Sequence, residues 1–277
     1  MELKMVHKTI KIWDDKEYFG ADSNYIPKLD TYVLKDSDES KGAVLILPGG
    51  GYAGCSWREA EPVAVWANSC NYHAFVLYYS VAPNRHPQPL LDVTRAMCII
   101  RDNAKEWNVD PEKIAVCGFS AGGHLAASIG NLWDAPYLQE IKNMDKGKNK
   151  PNALILGYPV ITGKEKSHGG SFKNLLGDNA SQELIDELSL ENKVSEKTPP
   201  TFLWSTFDDM AVPVENTLLF ASALRKNNIP FELHIFPEGN HGLSLATKQT
   251  YDGNPRFIKP EVSVWTKLCK QWLEGIF

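Results

Sequence analysis

Lys113-Ile114-Ala115-Val116-Cys117-Gly118-Phe119-Ser120-Ala121-Gly122-Gly123-His124-Leu125-Ala126-Ala127-Ser128 is the stretch whose reading decides the fold. Ile114 to Cys117 is a short apolar, partly β-branched run, the pattern of a buried strand. From Leu125 the chain is rich in Ala and Leu and reads as a helix. Between them stands Gly118-x-Ser120-x-Gly122. A strand that turns sharply into a helix around one serine is a nucleophile elbow. The glycines let strand and helix approach a residue held in a strained backbone conformation. The hydroxyl is then lifted clear of the backbone, and the helix offers its positive end to developing negative charge. Three fixed positions of this kind arise by chance in about one chain in ten of this length, given the abundance of Gly. The flanking strand and helix sharpen the signal, and partners elsewhere must decide it. A phosphate-binding turn is the competing reading. It is disfavoured because no Lys opens the helix and no Gly-x-Gly-x-x-Gly is present.

Outward from the elbow, the apolar runs repeat. Ala43 to Leu47, Ala74 to Tyr79, Ala153 to Gly157 and Pro200 to Thr206 read as strands buried on both faces. Thr9 to Trp13 and Leu29 to Leu34 also read as strands. Phe231 to Phe236 alternates, which predicts a position near a sheet edge. Helical spacing covers Arg58 to Ser69, Leu90 to Trp107, Val214 to Asn227 and Glu261 to Leu273, with Asn108 to Pro111 turning the chain into the elbow strand. Asp36 to Gly42 reads as a loop, and Tyr137 to Lys150 as a solvated surface segment of mixed charge. Strands that alternate with helices predict a mostly parallel sheet covered on both faces. The polar segment 163–199 interrupts this rhythm, with Ser181 placed to cap a short helix, and reads as a small helical flap over the site.

The composition narrows the class. The chain has 277 residues, 43% hydrophobic and 23% charged, with a formal net charge of −5. No basic run favours nucleic acid or an anionic membrane. No apolar stretch approaches the roughly 20 residues of a membrane span. Lys4, Lys8 and Lys11 lie near the start without an apolar core after them, so no signal peptide is expected. The five cysteines, Cys55, Cys70, Cys98, Cys117 and Cys269, are odd in number and form no Cys-x-x-Cys. Buried free thiols and a cytoplasmic location are the expectation.

The chemistry converges on strand ends. After Ala43 to Leu47 comes Pro48-Gly49-Gly50-Gly51-Tyr52. Glycines weaken strands, so three here serve to turn backbone N–H groups into a site. Asp208-Asp209-Met210-Ala211-Val212-Pro213 follows the strand ending at Thr206, and Asn240-His241-Gly242 follows the alternating strand. A serine nucleophile needs a base and a carboxylate that orients it. Such groups gather at the carboxyl ends of parallel strands. Strand position alone does not choose between Asp208 and Asp209.

On Pro48 to Tyr52, Tyr79-Ser80-Val81-Ala82-Pro83, Gly118 to His124, Asp209-x-x-Val212-Pro213 and Asn240 to Gly242, the chain resembles the α/β-hydrolase superfamily of esterase/lipase type. It is most similar there to bacterial acetylxylan esterase-like carbohydrate esterases. The resemblance runs from about Ala43 to the C-terminus, with Pro48 standing where many such proteins have His. It implies an α/β-hydrolase fold of about eight strands, here as a single domain over residues 1–277. It implies Ser120 as nucleophile, His241 as base and then acid, and Asp209, which fits the Asp-x-x-Val-Pro spacing, as its orienter. Backbone N–H groups of Ala121 and of Gly50 or Gly51 would bind the oxyanion. Neither metal nor organic cofactor is implied.

The expected partner is a small-molecule ester, possibly an acetylated oligosaccharide, with no nucleic acid and no membrane. Tyr52 and Trp57 follow the Gly loop and would stack on a sugar ring or simply pack. His124, one helical turn after Ser120, reads as a packed helix histidine. His73, His86, His168 and His234 lack ligand spacing. An amide-cleaving enzyme, peptidase or arylformamidase, would use the same three side chains, and a binding protein would keep them idle.

Overall fold

A computed structural model of the chain describes residues 5–14, 18, 20–21, 25–35, 39–139 and 147–277. Parts of the loop at 36–42 and of the surface segment at 137–150 lie outside those residues. The apolar runs form β1 (Met5–Lys11), β2 (Lys28–Leu34), β3 (Lys41–Leu47), β4 (His73–Tyr78), β5 (Val109–Phe119), β6 (Ala153–Gly157), β7 (Thr201–Thr206) and β8 (Phe231–Phe236). They make one eight-stranded sheet in the order β1-β2-β4-β3-β5-β6-β7-β8. β1 and β2 join antiparallel, as do β2 and β4, and every later pair is parallel. This is the mostly parallel α/β-hydrolase sheet, with β8 at its edge as the alternation in its sequence predicts.

The helices are α1 (Glu61–Ser69), α2 (Gln88–Asp102), α3 (Ala104–Trp107), α4 (Ala121–Leu132), α5 (Pro136–Gln139), α6 (Gly169–Leu176), α7 (Gln182–Glu187), α8 (Glu215–Lys226), α9 (Pro260–Ser263) and α10 (Trp265–Ile276). Side chains alternate across a strand, so the central strands feed two cores at once. Leu45, Leu47, Val116, Leu154 and Leu156 face α2, α4 and α8. Val44, Ile46, Cys117, Ile155, Phe202 and Trp204 face α1, α9 and α10. Trp204 stacks on Trp265 with ring centroids 5.1 Å apart, which closes the second core.

Several boundaries differ from the sequence reading, among them that the helix expected from Arg58 opens only at Glu61 and the first strand runs Met5–Lys11. The helix expected from Leu90 to Trp107 divides at Asn103, whose side-chain amide donates to Ile99 O at 2.8 Å. The C-terminal helix divides at Val264 where Ser263 Oγ donates to Pro260 O at 2.8 Å. Side chains that bond back to carbonyls compete with helix continuation. The expected turn at Asp110-Pro111 belongs instead to β5. A register shift between Lys41 and Ala43 accommodates the proline, which cannot donate to a ladder.

Candidate active site

Ser120 sits between β5 and α4 with φ 53° and ψ −121°. Its backbone is held there by hydrogen bonds on both sides. Ser120 N donates to Gly157 O at 3.0 Å, and Ser120 O accepts from His124 N at 3.1 Å and Val160 N at 3.0 Å. The two flanking glycines are required by space. A Cβ on Gly118 would meet Gly122 O at 2.1 Å, and one on Gly122 would meet Leu47 O at 2.1 Å. Strand, elbow and Gly loop are therefore in direct backbone contact.

His241 and Asp209 reach Ser120 from two other strand ends. His241 Nε2 lies 2.7 Å from Ser120 Oγ, and His241 Nδ1 lies 2.7 Å from Asp209 Oδ2. Asp209 Oδ1 accepts the N–H groups of Ala211 and Val212, at 2.9 and 3.0 Å. With its oxygens so placed, the carboxylate accepts a hydrogen bond from Nδ1–H, which leaves Nε2 as the acceptor for the serine hydroxyl. The Asp209 side chain is 1% exposed and that of His241 24%, so the carboxylate is shielded while the imidazole remains open. Asp208 points elsewhere: its Oδ1 accepts Gly239 N–H at 2.6 Å and fixes the turn before His241.

Beside Ser120 lies the Gly loop. Gly50 and Gly51 have φ of +139° and +64°, a region that favours glycine. Their carbonyls are engaged, by Ala53 N at 3.0 Å and by Asn174 Nδ2 at 2.9 Å. Their N–H groups and that of Ala121, at the first position of α4, have no hydrogen-bond partner among the described residues. Free N–H donors beside a serine hydroxyl are what an oxyanion requires. Pro48, which has no N–H, contributes its carbonyl to Tyr79 Oη–H at 2.6 Å.

Tyr52 does not take the sugar-stacking position considered above. Its side chain is 2% exposed, and its hydroxyl lies 2.8 Å from His124 Nδ1. His124 Nε2 lies 2.9 Å from Leu188 O, so it donates there and its Nδ1 accepts from Tyr52. Tyr52 and His124 thus pack the underside of the Gly loop against segment 163–199. Trp57 is 53% exposed and available at the surface. All five cysteines are free thiols, four of them buried and Cys55 half-buried.

Three side chains of the site escape the sequence reading. Glu59 is 3% exposed; it accepts from Gly49 N at 2.7 Å and from Tyr158 Oη–H at 2.6 Å. Ser56 makes no side-chain cap on the short turn it precedes, and Glu59 is buried toward the site. Tyr158 follows β6 at the same sheet end and sets its ring 5.0 Å from that of His241, edge to face. Burial, then the neighbouring Glu59, raises its phenol well above the ordinary range and keeps it a donor. His168 accepts from Ser171 N at its Nδ1, which leaves the proton on Nε2. Burial and then the nearby His241 imidazole lower its pKa.

Among the described residues, no group of three His, Cys, Asp or Glu is placed to hold a metal ion. Among them too, no helix is long and apolar enough to cross a membrane.

Comparison with known proteins adds an independent line. The BD-FAE family model matches residues 29–224. The chain is 39% identical over 251 residues to an endo-1,4-beta-xylanase B of Butyrivibrio fibrisolvens, covering 87% of this chain and 39% of that protein. It is 36% identical over 211 residues to an acetylxylan esterase of Xylanibacter ruminicola, covering 74% of this chain and 42% of that protein. The chain therefore spans about two fifths of the length of these curated relatives. A crystal structure of an acetyl ester-xyloside bifunctional hydrolase from Caldicellulosiruptor lactoaceticus superposes with a TM-score of 0.86 at 45% identity, covering 97% of this chain and 96% of that one.

Proposed function

The chain belongs to the BD-FAE family, and on that premise we propose that it is a serine esterase that removes acetyl and other short acyl groups from carbohydrate-derived esters. The observation that carries this reading is the hydrogen-bonded line from Ser120 Oγ through His241 to Asp209, beside N–H groups that have no other partner.

Ser120 Oγ attacks the ester carbonyl while His241 Nε2 takes its proton. Asp209 holds the imidazole in the tautomer that makes this transfer possible and stabilises the cation that forms. The carbonyl oxygen gains charge as the tetrahedral species develops, and the N–H groups of Ala121 and of Gly50 or Gly51 bind it. His241 then returns the proton to the departing sugar hydroxyl, which leaves an acyl-enzyme on Ser120. Water, deprotonated by the same nitrogen, attacks that acyl group; the proton passes back to Ser120 Oγ and the carboxylic acid leaves. Every step draws on groups of this chain.

The carbohydrate leaving group is supported by the names of an acetylxylan esterase and an acetyl ester-xyloside hydrolase among similar proteins. A short acyl group is supported by the flap, which contributes the short helices α6 and α7 rather than a long apolar lid. The test is a substrate panel: p-nitrophenyl acetate to decanoate, acetylated xylo-oligosaccharides and N-formylkynurenine. Activity highest on acetyl esters and falling steeply beyond butyrate is expected. A maximum at decanoate, or turnover of the formamide alone, would refute the assignment.

A further inference from the structure

Glu59 joins two loops that are far apart in the chain and must be in register for the reaction just proposed. On one side it holds the Gly loop. Gly49 N–H donates to its Oε2 at 2.7 Å, and Gly49 O accepts Ser56 N–H at 2.8 Å. A glycine has no side chain to fix its own φ and ψ, so these two bonds supply the constraint. They also aim the next donor. Across a trans peptide, carbonyl and N–H point in opposite directions. With Gly49 O tied to Ser56, the Gly50 N–H must point the other way. Gly49 also lies against the nucleophile: a Cβ there would be 2.7 Å from Glu59 Oε2 and 2.9 Å from Ser120 Cβ.

On the other side Glu59 holds the histidine loop. Its Oε1 accepts the Tyr158 hydroxyl at 2.6 Å. That hydroxyl in turn accepts Ser244 N–H at 2.9 Å, and Ser244 Oγ donates to Arg58 O at 2.6 Å. Ser244 stands three residues after His241 with φ 53°, a conformation that needs support. The Tyr158 ring meets the His241 imidazole edge to face at 5.0 Å. One carboxyl group thus ties the proposed oxyanion donor to the proposed base, and at 3% exposure it is buried beneath the site.

We infer that Glu59 is a positioning residue that sets the oxyanion donors and His241 in register, acting through Gly49 on one side and Tyr158 on the other. The inference rests on the serine-esterase reading. It does not require Glu59 to touch substrate. Interactions made only in the transition state lower kcat when lost and leave KM unchanged. Loss of register is therefore read in kcat, whereas loss of folded protein is read in the titre of active sites.

The experiment compares Glu59→Gln, Tyr158→Phe and the double variant on p-nitrophenyl acetate, with rates divided by active sites counted by fluorophosphonate labelling. Wild type must label and turn over; failure there overturns the esterase reading itself. Given a labelling wild type, Glu59→Gln is expected to lose about 10- to 100-fold in kcat per titrated site at unchanged KM. Tyr158→Phe is expected to lose about 10-fold, because it breaks only one arm, and the double variant to be no worse than Glu59→Gln alone. Should Glu59→Gln not fold, Tyr158→Phe decides by the same split. A kcat per titrated site equal to wild type, with only thermal stability reduced, would overturn the inference and leave the esterase reading standing.

Discussion

Asp209 Oδ2 lies 2.7 Å from His241 Nδ1, although the residues stand 32 positions apart in the chain. The neighbouring Asp208 has a different partner and accepts the Gly239 N–H. Adjacent residues on one loop therefore have separable tasks. Asp209→Asn keeps the shape but favours the wrong imidazole tautomer, which in serine proteases costs about 10⁴ in kcat. A loss of several orders of magnitude is expected, with an unchanged circular dichroism spectrum. Asp208→Asn should lose less than about 10-fold, since it disturbs one backbone contact. The two kcat values on p-nitrophenyl acetate check the assignment, and a reversed ranking would exchange the roles.

Ser120→Ala removes the hydroxyl but no packing of consequence. Fluorophosphonate labelling should disappear from the peptide that carries residue 120, and kcat should fall at least about 10³-fold. Stability should change by no more than about 1 kcal/mol, the net worth of one neutral hydrogen bond. Intact-mass spectrometry reads the label. An unchanged adduct on the variant would place the nucleophile elsewhere.

Gly122 is a test of the elbow's packing. A Cβ there would lie 2.1 Å from Leu47 O and 2.5 Å from Pro48 O, both backbone atoms at the end of β3. Neither moves without displacing the Gly loop. Gly122→Ala should cost on the order of 3 kcal/mol or more, as overpacked cores do. Gly54→Ala is the control, because nothing lies within 4 Å of its added methyl. Melting temperatures of the pair measure the difference.

What was legible follows from what the signals are made of. β3, β4, β6, β7 and the part of β5 from Ile114 onward are buried on both faces, so each carries a mostly apolar run that length alone separates from a helix. Ser120 and Asp209 each follow such a strand and His241 follows the alternating edge strand β8, and the sheet brings all three to one end. The helix breaks at Asn103 and Val264 were not visible, because back-bonding side chains leave the hydrophobic period intact. Glu59 was hidden for a different reason. Its partner Tyr158 is 99 positions away, so no local pattern joins the two. Tyr52 stayed open between stacking and packing because an aromatic residue after a glycine loop reads the same in both cases; it packs, and its hydroxyl meets His124.

Stability should fall on mild acidification, and two histidines set the window. His124 donates to Leu188 O through Nε2 and accepts from Tyr52 through Nδ1, so both ring nitrogens are satisfied in the neutral form. Burial lowers its pKa from 6.5 to about 4, and burial does the same to His86. Above pH 6.5 both residues are neutral whether the chain is folded or not, and they contribute no pH dependence. As pH falls from 6.5 towards 4, the unfolded chain binds protons that the folded protein refuses. Folding free energy is lost throughout that range and levels off below it for these groups. Each histidine accounts for about 2 kcal/mol between pH 7.5 and pH 5. His124→Gln keeps a neutral donor but does not titrate. It should be less stable than wild type at pH 7.5, yet lose about 2 kcal/mol less than wild type on going to pH 5. Urea unfolding at the two pH values measures both slopes. Equal slopes for wild type and variant would mean that His124 takes up a proton in the folded state.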